Sequence, residues 1–540
     1  MRKWAREKTD LVDLYSVGKS FGEQDIWQMT ITNKRTGKDT DKPAAFFEGG
    51  RHAGEISGTE SALYLAWYLL ENYGKDPIVT KLLDQSAVYL KPINNPDGSD
   101  MYRLTAQSNR STVRPFDDDG DGLLDEDPGE DLDGDGFVRQ MRKFVGMGRG
   151  NAVIDTADKS GRLMRNVAQG QGDYMMYPEG IDNDKDGRIN EDGIGGLDLH
   201  RNYPYNWRPM AESTGRGYTQ GGAGEYPASE PETRAVVLWT LTHPNISVAN
   251  SMDTSVPMHL RPPSTCEETE CVYPADLKLY KHFDSVGVAI TGYPWAGDVY
   301  RTYATRGAPN PATADPQPLF GHGPDFGYFQ LGTVWYGDEI WNGGRERDYN
   351  KDGRVDQYEV LRYCDEEFGG SCYQNWHKFT HPDLGEVEIG GYNPKFFSQN
   401  PPAQAIEKWA RNEAMFNLEL AKALPKLEIT NVAVAQVKAS ADSATHEVKV
   451  TVRNTGLLPD ALEQAKRSKM VRPDQLTIRA AQGSETHTVG RAAEFFVGSN
   501  ETKTVTLRVH AGTGDADKTF TVRLSSTRGG QADREVKIEK

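Results

Sequence analysis

Residues 42–73 read KPAAFFEGGRHAGEISGTESALYLAWYLLENY, and they contain the clearest strand and helix signals of the chain. Its start, Lys42–Phe47, is a short apolar run that predicts a buried strand, whereas Glu60–Tyr73 has the apolar spacing of an amphipathic helix. A second strand-like run, Ala87–Leu90, follows the helix. Strands that alternate with helices in this way favour an α/β fold, in which helices cover the faces of a sheet.

The α/β pattern extends to about residue 425, where the character of the sequence changes. A long helix is predicted for Ala403–Leu424, and Pro425 ends it. Beyond it, short segments alternate apolar and polar residues between turn signals, a pattern typical of a β-sandwich. These segments are Leu427–Val437, Glu447–Asn454, Gln475–Ala480, Thr504–Val509 and Phe520–Leu524. We therefore expect two domains, 1–425 and 426–540, the second being an accessory Ig-like sandwich.

The overall charge excludes some classes of function. The 540 residues carry a formal net charge of −17 and form no basic patch, which argues against general nucleic-acid binding because phosphates would be repelled. The longest apolar run, Ser61–Leu70, is too short for a transmembrane helix, which needs about 20 residues. The start, MRKWAREKTD, lacks the apolar core of a signal peptide. We expect either a cytosolic protein or the trimmed mature form of an exported one.

The acidic residues are concentrated in loops with one repeated spacing. Asp117–Asp135 holds eleven acidic residues and no lysine or arginine. The pattern D-x-D-x-D-G begins at residues 117, 131 and 182, and D-x-N-x-D-G begins at 348. Only this fourth copy has a glutamate, Glu359, at its twelfth position. Alternate oxygen ligands around a turn that glycine permits are what Ca²⁺ requires, and the twelfth-position glutamate can supply two oxygens.

We therefore predict up to four structural Ca²⁺ ions that rigidify an insertion at about residues 115–195, with solvated acidic loops as the alternative. The predicted ligands are Asp117, Asp119, Asp121, Asp125, Asp131, Asp133, Asp135, Asp182, Asp184, Asp186, Asn190, Asp348, Asn350, Asp352, Asp356 and Glu359. Weak calcium loops fill best outside the cell, so we expect an extracellular or periplasmic protein. The cysteine pairs Cys266/Cys271 and Cys364/Cys372 suggest disulfides there, with free thiols as the alternative.

A histidine and a glutamate that suit a metal follow the first predicted strand. His52 and Glu55 are three residues apart at the carboxyl end of Lys42–Phe47, where α/β sheets bind ligands. Imidazole nitrogen and carboxylate oxygen are both accepted by Zn²⁺. This pair alone is a weak signal, and the case depends on the motifs that come after it.

Those motifs occur in an order that resembles the zinc metallocarboxypeptidase (carboxypeptidase A-like) family over roughly residues 10–425. They are Asn95-Pro96-Asp97-Gly98, the stretch GLDLHRNY at residues 196–203 with Trp207, Asp325-Phe326-x-Tyr328, and Glu339-Ile340-Trp341. The resemblance implies a mixed sheet of about eight strands, a zinc cofactor and removal of C-terminal residues from peptides. We expect a monomer.

The resemblance also implies roles for individual residues. Glu339 matches the general base and acid, which takes a proton from metal-activated water and returns it to the leaving amine. Arg201 matches the arginine that binds the terminal carboxylate of the substrate, a task suited to a planar bidentate donor. Arg114 is the predicted stabiliser of the oxyanion, with Arg110 as its close rival.

The metal set departs from the family pattern at its third position. His52 and Glu55 match the first two zinc ligands, but Asp253 stands where the family has a histidine. Aspartate can bind zinc, so we predict a site made of His52, Glu55 and Asp253. Its two carboxylates would leave bound water less acidic and would suit harder metals such as Mn²⁺ better.

Two further departures concern the substrate. His200 stands where the family usually has an asparagine beside the carboxylate-binding arginine, and a protonated histidine could still hold a carboxylate. The segment Gln317–Pro324 has no tyrosine where the family places a mobile tyrosine over the substrate, and His322 could donate a hydrogen bond there.

Three functions stay open on the sequence. The leading one is a metal-dependent exopeptidase, and the departures at Asp253, at His200 and in the tyrosine segment favour the rival, a binding protein that holds a peptide or glycan in an inactive cleft. The third is an amidase that acts on peptidoglycan stem peptides.

Overall fold

The computed structural model describes residues 1–117, 120–209, 222–480, 484, 486–489, 492–512 and 519–537. The strands of its larger part are β1 (Val12–Lys19), β2 (Asp25–Ile31), β3 (Ala44–Gly49), β4 (Ala87–Lys91), β5 (Gln140–Phe144), β6 (Ala152–Ile154), β7 (Met164–Asn166), β8 (Tyr174–Pro178), β9 (Ile246–Thr254), β10 (Met258–Arg261), β11 (Trp295–Asp298), β12 (Val334–Tyr336), β13 (Glu339–Ile340), β14 (Tyr373–His381) and β15 (Gly385–Tyr392). The helices are α1 (Arg2–Glu7), α2 (Ile56–Asn72), α3 (Pro77–Gln85), α4 (Pro96–Leu104), α5 (Pro231–Leu241), α6 (Glu268–Cys271), α7 (Pro274–Thr291), α8 (Gly323–Asp325), α9 (Gln357–Phe368), α10 (Ala403–Lys422) and α11 (Glu463–Ser468).

The central element is a mixed sheet of nine strands, which confirms the predicted α/β class and exceeds the expected eight strands by one. Its order is β1-β2-β4-β3-β9-β13-β10-β11, and β12 also pairs with β9. The pairs β3–β4, β3–β9 and β13–β9 are parallel, whereas β1–β2, β2–β4 and β10–β13 are antiparallel. The parallel strands form the middle of the sheet, so they are covered on both faces.

Each face of this sheet has its own hydrophobic core. Successive residues of β3 point to opposite faces. Phe47 packs in a cluster that contains Leu65 of α2 together with residues of α7 and α10. Phe46 packs in another cluster with Trp239 of α5. This double burial is why β3 is apolar almost throughout rather than alternating.

A second sheet, which the sequence did not predict, lies beside the acidic loops. Its six strands have the order β14-β15-β5-β8-β6-β7. Four of them come from the predicted insertion, and β14 and β15 come from the chain before α10. The insertion is therefore anchored on a hairpin more than two hundred residues further along the chain.

Residues from Leu427 onward form two four-stranded antiparallel sheets, which confirms the predicted all-β character of this part. Their strands are β16 (Leu427–Ala439), β17 (Ser443–Asn454), β18 (Asp474–Ala480), β19 (His487–Thr488), β20 (Ala493–Phe495), β21 (Thr502–Gly512), β22 (Thr519–Ser526) and β23 (Gly530–Lys537). The orders are β16-β17-β21-β19 and β20-β18-β22-β23, and both sheets contribute to one core. Arg528 donates to the carbonyl oxygens of Leu331 and Gly332 across the contact with the larger part. The boundary at residue 425 stays a prediction.

Both predicted disulfides are formed, Cys266–Cys271 and Cys364–Cys372. Among the described helices, none combines the length and the apolar character that a membrane crossing requires.

Candidate metal centre and active site

The predicted metal ligands and the predicted base converge at one edge of the nine-stranded sheet. His52 and Glu55 follow β3, Asp253 is the last residue but one of β9, and Glu339 begins β13. Because β3 and β13 both run parallel to β9 and pair with it up to this edge, the four side chains meet there. The carboxyl ends of parallel strands are where α/β sheets bind ligands.

His52 is buried, and acidic residues approach both of its ring nitrogens. Its Nε2 lies 2.9 Å from Oδ1 of Asp198, and its Nδ1 lies 3.0 Å from Oε2 of Glu55 and 3.5 Å from Oδ1 of Asp253. Burial and the charge of Arg110 lower the pKa of His52, but the three carboxylates together raise it to about 9. The carboxylates therefore hold the ring in one orientation.

Asp253 contacts a second imidazole and a buried arginine. Its Oδ2 lies 3.4 Å from Nε2 of His200 and 3.5 Å from Nη2 of Arg51. Burial raises the pKa of Asp253 to about 6, against the opposing charges of Arg51 and His52. Burial, followed by the charges of Arg51 and His322, lowers the pKa of His200 well below its usual value. His200 is thus a neutral imidazole beside the carboxylate.

Of the two arginines proposed for the oxyanion, the structure brings Arg110 to the cluster. Its Nη1 donates to Glu55 at 2.6 Å, and its Nη2 donates to Asp198 at 3.2 Å. Arg114 instead pairs with Glu230 at 3.2 Å. The sequence did not distinguish these arginines, because they are four residues apart in a segment without regular structure.

The predicted substrate-binding residues Arg201 and His322 also lie beside the cluster. Nη2 of Arg201 is 3.6 Å from Oδ2 of Asp198. The ring of His322 is buried and meets the ring of His200 edge to face, with centroids 4.5 Å apart. Burial, with the charges of Arg51 and Arg201, lowers the pKa of His322 well below its usual value.

Glu339 lies close to the candidate ligands without joining them. Its Oε2 accepts a hydrogen bond of 3.0 Å from the N–H of Val256. Burial, and then the like charges of Glu55 and Asp253, raise the pKa of Glu339 to about 8, although Arg110 opposes them. A carboxyl group whose pKa is near neutrality is suited to taking up and releasing a proton.

Asp198 and Arg51 contact the cluster but were not among the predicted site residues. Asp198 stands within the GLDLHRNY motif, which was a usable signal, and Arg51 directly precedes His52. Tyr303 precedes Gln317–Pro324 by fourteen residues, yet it is near enough to the charge of Glu339 for that charge, together with burial, to raise its pKa.

The donor atoms of this cluster fit a zinc ion. His52, His200 and Asp253 each offer one ligand atom, and these atoms lie within 4.8 Å of one another. Nδ1 of His52, Nε2 of His200 and Oδ1 of Asp253 are all buried without a hydrogen-bond partner in the structure. Buried polar atoms are costly unless they are satisfied, and imidazole nitrogens and a carboxylate oxygen are zinc ligands.

The four acidic loops share one turn geometry. In each loop the first aspartate accepts the N–H of the sixth-position glycine, at distances of 2.8–3.1 Å. Those glycines have φ between +88° and +98°, a conformation that other residues rarely adopt. Asp131, Asp133 and Asp135 form one possible cation group, as do Asp182, Asp184 and Asp186, and also Asp121, Glu126 and Asp184. Among the predicted ligands, Asp119 lies outside the described residues.

The remaining predicted ligands of the first and third loops are engaged with the backbone. Oδ1 of Asp125 accepts the N–H groups of Phe116 and Gly195. The Nδ2 group of Asn190 donates to the carbonyl of Glu179. Asp125 thus ties the base of the insertion together, and Asn190 ties the third loop to Glu179, whose side chain accepts N–H groups of the second loop.

In the second and third loops, a carboxylate from elsewhere in the chain accepts backbone N–H groups at positions where Glu359 accepts them in the fourth loop. In the fourth loop, Glu359 accepts the N–H groups of the second, third and ninth loop residues, the ninth being Asp356. Glu179 accepts the N–H groups at the same three positions of the loop that begins at Asp131. Asp127 accepts those at the second and ninth positions of the loop that begins at Asp182. Neither Glu179 nor Asp127 lies at the twelfth position of the loop that it contacts, so the motif spacing could not predict them.

Comparison with known proteins gives one match over most of the larger part. A family model described as zinc carboxypeptidase matches residues 1–144 and 150–345. A second model, described as a domain of unknown function, matches residues 426–537.

Individual relatives match over shorter stretches. Carboxypeptidase D from Homo sapiens is 35% identical over 98 residues, which are 18% of this chain and 7% of that protein. Carboxypeptidase A2 from Mus musculus is 36% identical over 104 residues, 19% of this chain and 23% of that protein. The chain thus spans less than a quarter of the length of these two relatives. The crystal structure of thrombin activatable fibrinolysis inhibitor has a TM-score of 0.43 at 15% identity, covering 78% of this chain and 73% of that one.

Proposed function

The chain belongs to the zinc carboxypeptidase family, and from this premise we propose that it is a metal-dependent exopeptidase that removes C-terminal residues from peptides. One observation carries the proposal: Glu339 lies opposite Asp253 in the parallel pairing of β13 with β9, beside buried imidazoles that have unsatisfied nitrogens. A proton-accepting carboxyl group next to a zinc donor set is the arrangement that metal-assisted peptide hydrolysis requires.

The metal would be held by the buried donors around His52 and Asp253, with Glu55 and His200 beside them. Zinc supplies Lewis-acid chemistry there, lowering the pKa of a bound water and polarising the scissile carbonyl. Because the N–H of Val256 occupies Oε2 of Glu339, Oε1 is the atom that accepts a proton and later returns it to the leaving amine.

Two arginine side chains would orient the substrate beside Glu339. Arg201, whose guanidinium lies at the rim of the cluster against Asp198, binds the terminal carboxylate. Arg110 is close to both the metal cluster and Glu339, so it stabilises the oxyanion in preference to Arg114.

The test compares two peptides that differ only at the C-terminus. Zinc-loaded protein is incubated with a peptide that ends in a free carboxylate and with its C-terminal amide, and released amino acids are measured by mass spectrometry. Stepwise release from the free acid alone supports an exopeptidase that recognises the carboxylate. Cleavage of neither peptide, or internal cleavage of both, contradicts it.

Asp253 favours a second candidate, a peptide- or glycan-binding protein without catalysis. A second carboxylate near the metal would make a bound water less acidic and the site less reactive than one with a histidine there. This candidate predicts peptide binding without release of any amino acid, and it predicts that Glu339→Gln leaves that binding unchanged.

We also propose that the acidic loops bind structural Ca²⁺ and that the protein works as a monomer in the periplasm or outside the cell. The shared turn geometry and the clustered carboxylates of the second and third loops support the calcium sites. The two disulfides support an oxidising compartment. Calcium titration followed by thermal unfolding tests the calcium sites, light scattering tests the monomer, and cell fractionation tests the compartment.

A further inference from the structure

Building on the proposed zinc-dependent function, we propose that this chain holds zinc through His52, His200 and Asp253, and that Glu55 supports the site without being a ligand. His200, which stands beside the carboxylate-binding arginine in the family pattern, would thereby become part of the metal site. The departures from the family pattern at Asp253 and His200 would then compensate each other, because the first removes a histidine from the metal site and the second supplies one.

The unsatisfied atoms distinguish His200 from Glu55. Nδ1 of His52, Nε2 of His200 and Oδ1 of Asp253 have no hydrogen-bond partner although they are buried. Both oxygens of Glu55 are already engaged: Oε1 accepts from Arg110 at 2.6 Å, and Oε2 accepts the N–H of Thr254 at 2.7 Å. Each of the three proposed ligands thus has a buried atom without a partner, whereas neither oxygen of Glu55 is such an atom. Nδ1 of the neighbouring His322 is also without a partner, so His322 is the rival that the experiment has to separate.

One carboxylate positions both imidazoles. Oδ1 of Asp198 lies 2.9 Å from Nε2 of His52 and holds that edge of the ring, so that Nδ1 is the nitrogen that faces Asp253, 3.5 Å from its Oδ1. The same oxygen of Asp198 accepts the backbone N–H of His200 at 2.8 Å and caps the short helix that presents this residue. Such outer carboxylates orient the histidines of zinc sites and fix their tautomers.

The proposed ligand set keeps the ligand types of the family but takes them from different positions in the chain. Two imidazoles and one carboxylate are the zinc ligands in carboxypeptidase A. With Asp253 in the place of a histidine, a set of His52, Glu55 and Asp253 would have one imidazole and two carboxylates. Recruiting His200 and releasing Glu55 restores two imidazoles and one carboxylate, and with them the net charge that keeps a bound water acidic.

The experiment measures metal binding rather than activity. Protein stripped with a chelator is titrated with Zn²⁺ by calorimetry in excess Ca²⁺, which keeps the acidic loops filled. His200→Ala is compared with Glu55→Gln and with a matched control, His282→Ala, on the exposed side of α7. We expect His200→Ala to lower the zinc affinity more than about 100-fold, beyond the ~10–100-fold that losing a supporting partner costs. Glu55→Gln should stay within that range, and the control should equal the parent.

A second measurement uses the parent protein, so it does not depend on whether a variant folds. In protein labelled with ¹⁵N-histidine, zinc should shift the Nδ1 signal of His52 and the Nε2 signal of His200, and no directly bonded shift should arise from His322. Unchanged zinc affinity in His200→Ala, or an Nε2 signal of His200 that zinc does not move, overturns the assignment. If the parent itself binds no zinc, the proposed function fails as well, so the two failures are distinguishable.

Discussion

Glu339 lies directly opposite Asp253, on the strand β13 that pairs in parallel with β9. Adjacent strands are about 4.8 Å apart, so the register fixes the distance between the proposed base and the proposed metal site. Burial and the neighbouring carboxylates also raise the pKa of Glu339 to about 8. The strand pairing thereby sets the position of the proposed base, and burial beside two carboxylates raises its proton affinity.

The first prediction concerns Glu339→Gln. The amide keeps the size of the side chain but cannot accept the proton, so kcat should fall about 10²–10⁴-fold, the usual contribution of a general base. Because Glu339 is not a proposed ligand, the zinc content should equal that of the parent. Equal turnover of the variant and the parent would remove Glu339 from the mechanism, and loss of zinc would move it into the metal site.

The second prediction separates the two arginines. Arg110 donates to Glu55 and Asp198, whereas Arg114 pairs with Glu230. Arg110→Ala should therefore lower kcat/KM by at least ~100-fold, in the range that loss of one oxyanion donor costs, and Arg114→Ala should change it far less. Steady-state kinetics on one peptide substrate measures both, and the reverse order of effects would restore Arg114 as the oxyanion residue.

Local signals in the sequence located two strands and the helix between them in the central part, whereas the mixed sheet of about eight strands was implied only by the family resemblance. The predicted strand Lys42–Phe47 is β3 at Ala44–Gly49, and the predicted helix Glu60–Tyr73 is α2, which begins four residues earlier. In this additional first turn, Gly58 packs against β9, where a Cβ would lie 2.2 Å from the carbonyl oxygen of Met252. That approach depends on tertiary structure and has no local signature.

Contacts between distant segments explain what the sequence did not reveal. The six-stranded sheet pairs β5 with β15, and Glu388 lies opposite Arg142 in that pairing. Likewise, Glu179 accepts N–H groups from a loop that begins 48 residues before it. Motif spacing detects ligands that are close in sequence, and these residues are close only in the folded chain.

The third prediction concerns calcium. Glu179 accepts N–H groups at three positions of the second acidic loop, as Glu359 does in the fourth. Glu179→Gln should therefore reduce the rise in Tm that Ca²⁺ produces, since a neutral amide is a poorer ligand and cannot accept at both of its terminal atoms. Asp155→Asn, in the same insertion, is the matched control and should keep the full rise. Differential scanning calorimetry with Ca²⁺ and with a chelator makes the measurement, and an equal calcium effect in both variants contradicts the prediction.

The fourth prediction concerns pH and two buried carboxyl groups of the C-terminal part. Burial, and then the hydrogen bond and charge of Asp460, raise the pKa of Asp474 far above the value near 3.9 that an unfolded aspartate has. The folded state therefore keeps a proton that the unfolded state has already lost, and the free energy of unfolding falls as pH rises above about 4. The slope for one such proton is at most about 1.4 kcal/mol per pH unit. Between pH 5 and pH 8, about three units, the free energy of unfolding should fall less in Asp474→Asn than in the parent, because the amide cannot ionise. Urea unfolding at each pH measures it. Parallel curves for the two proteins would show that this pair titrates normally.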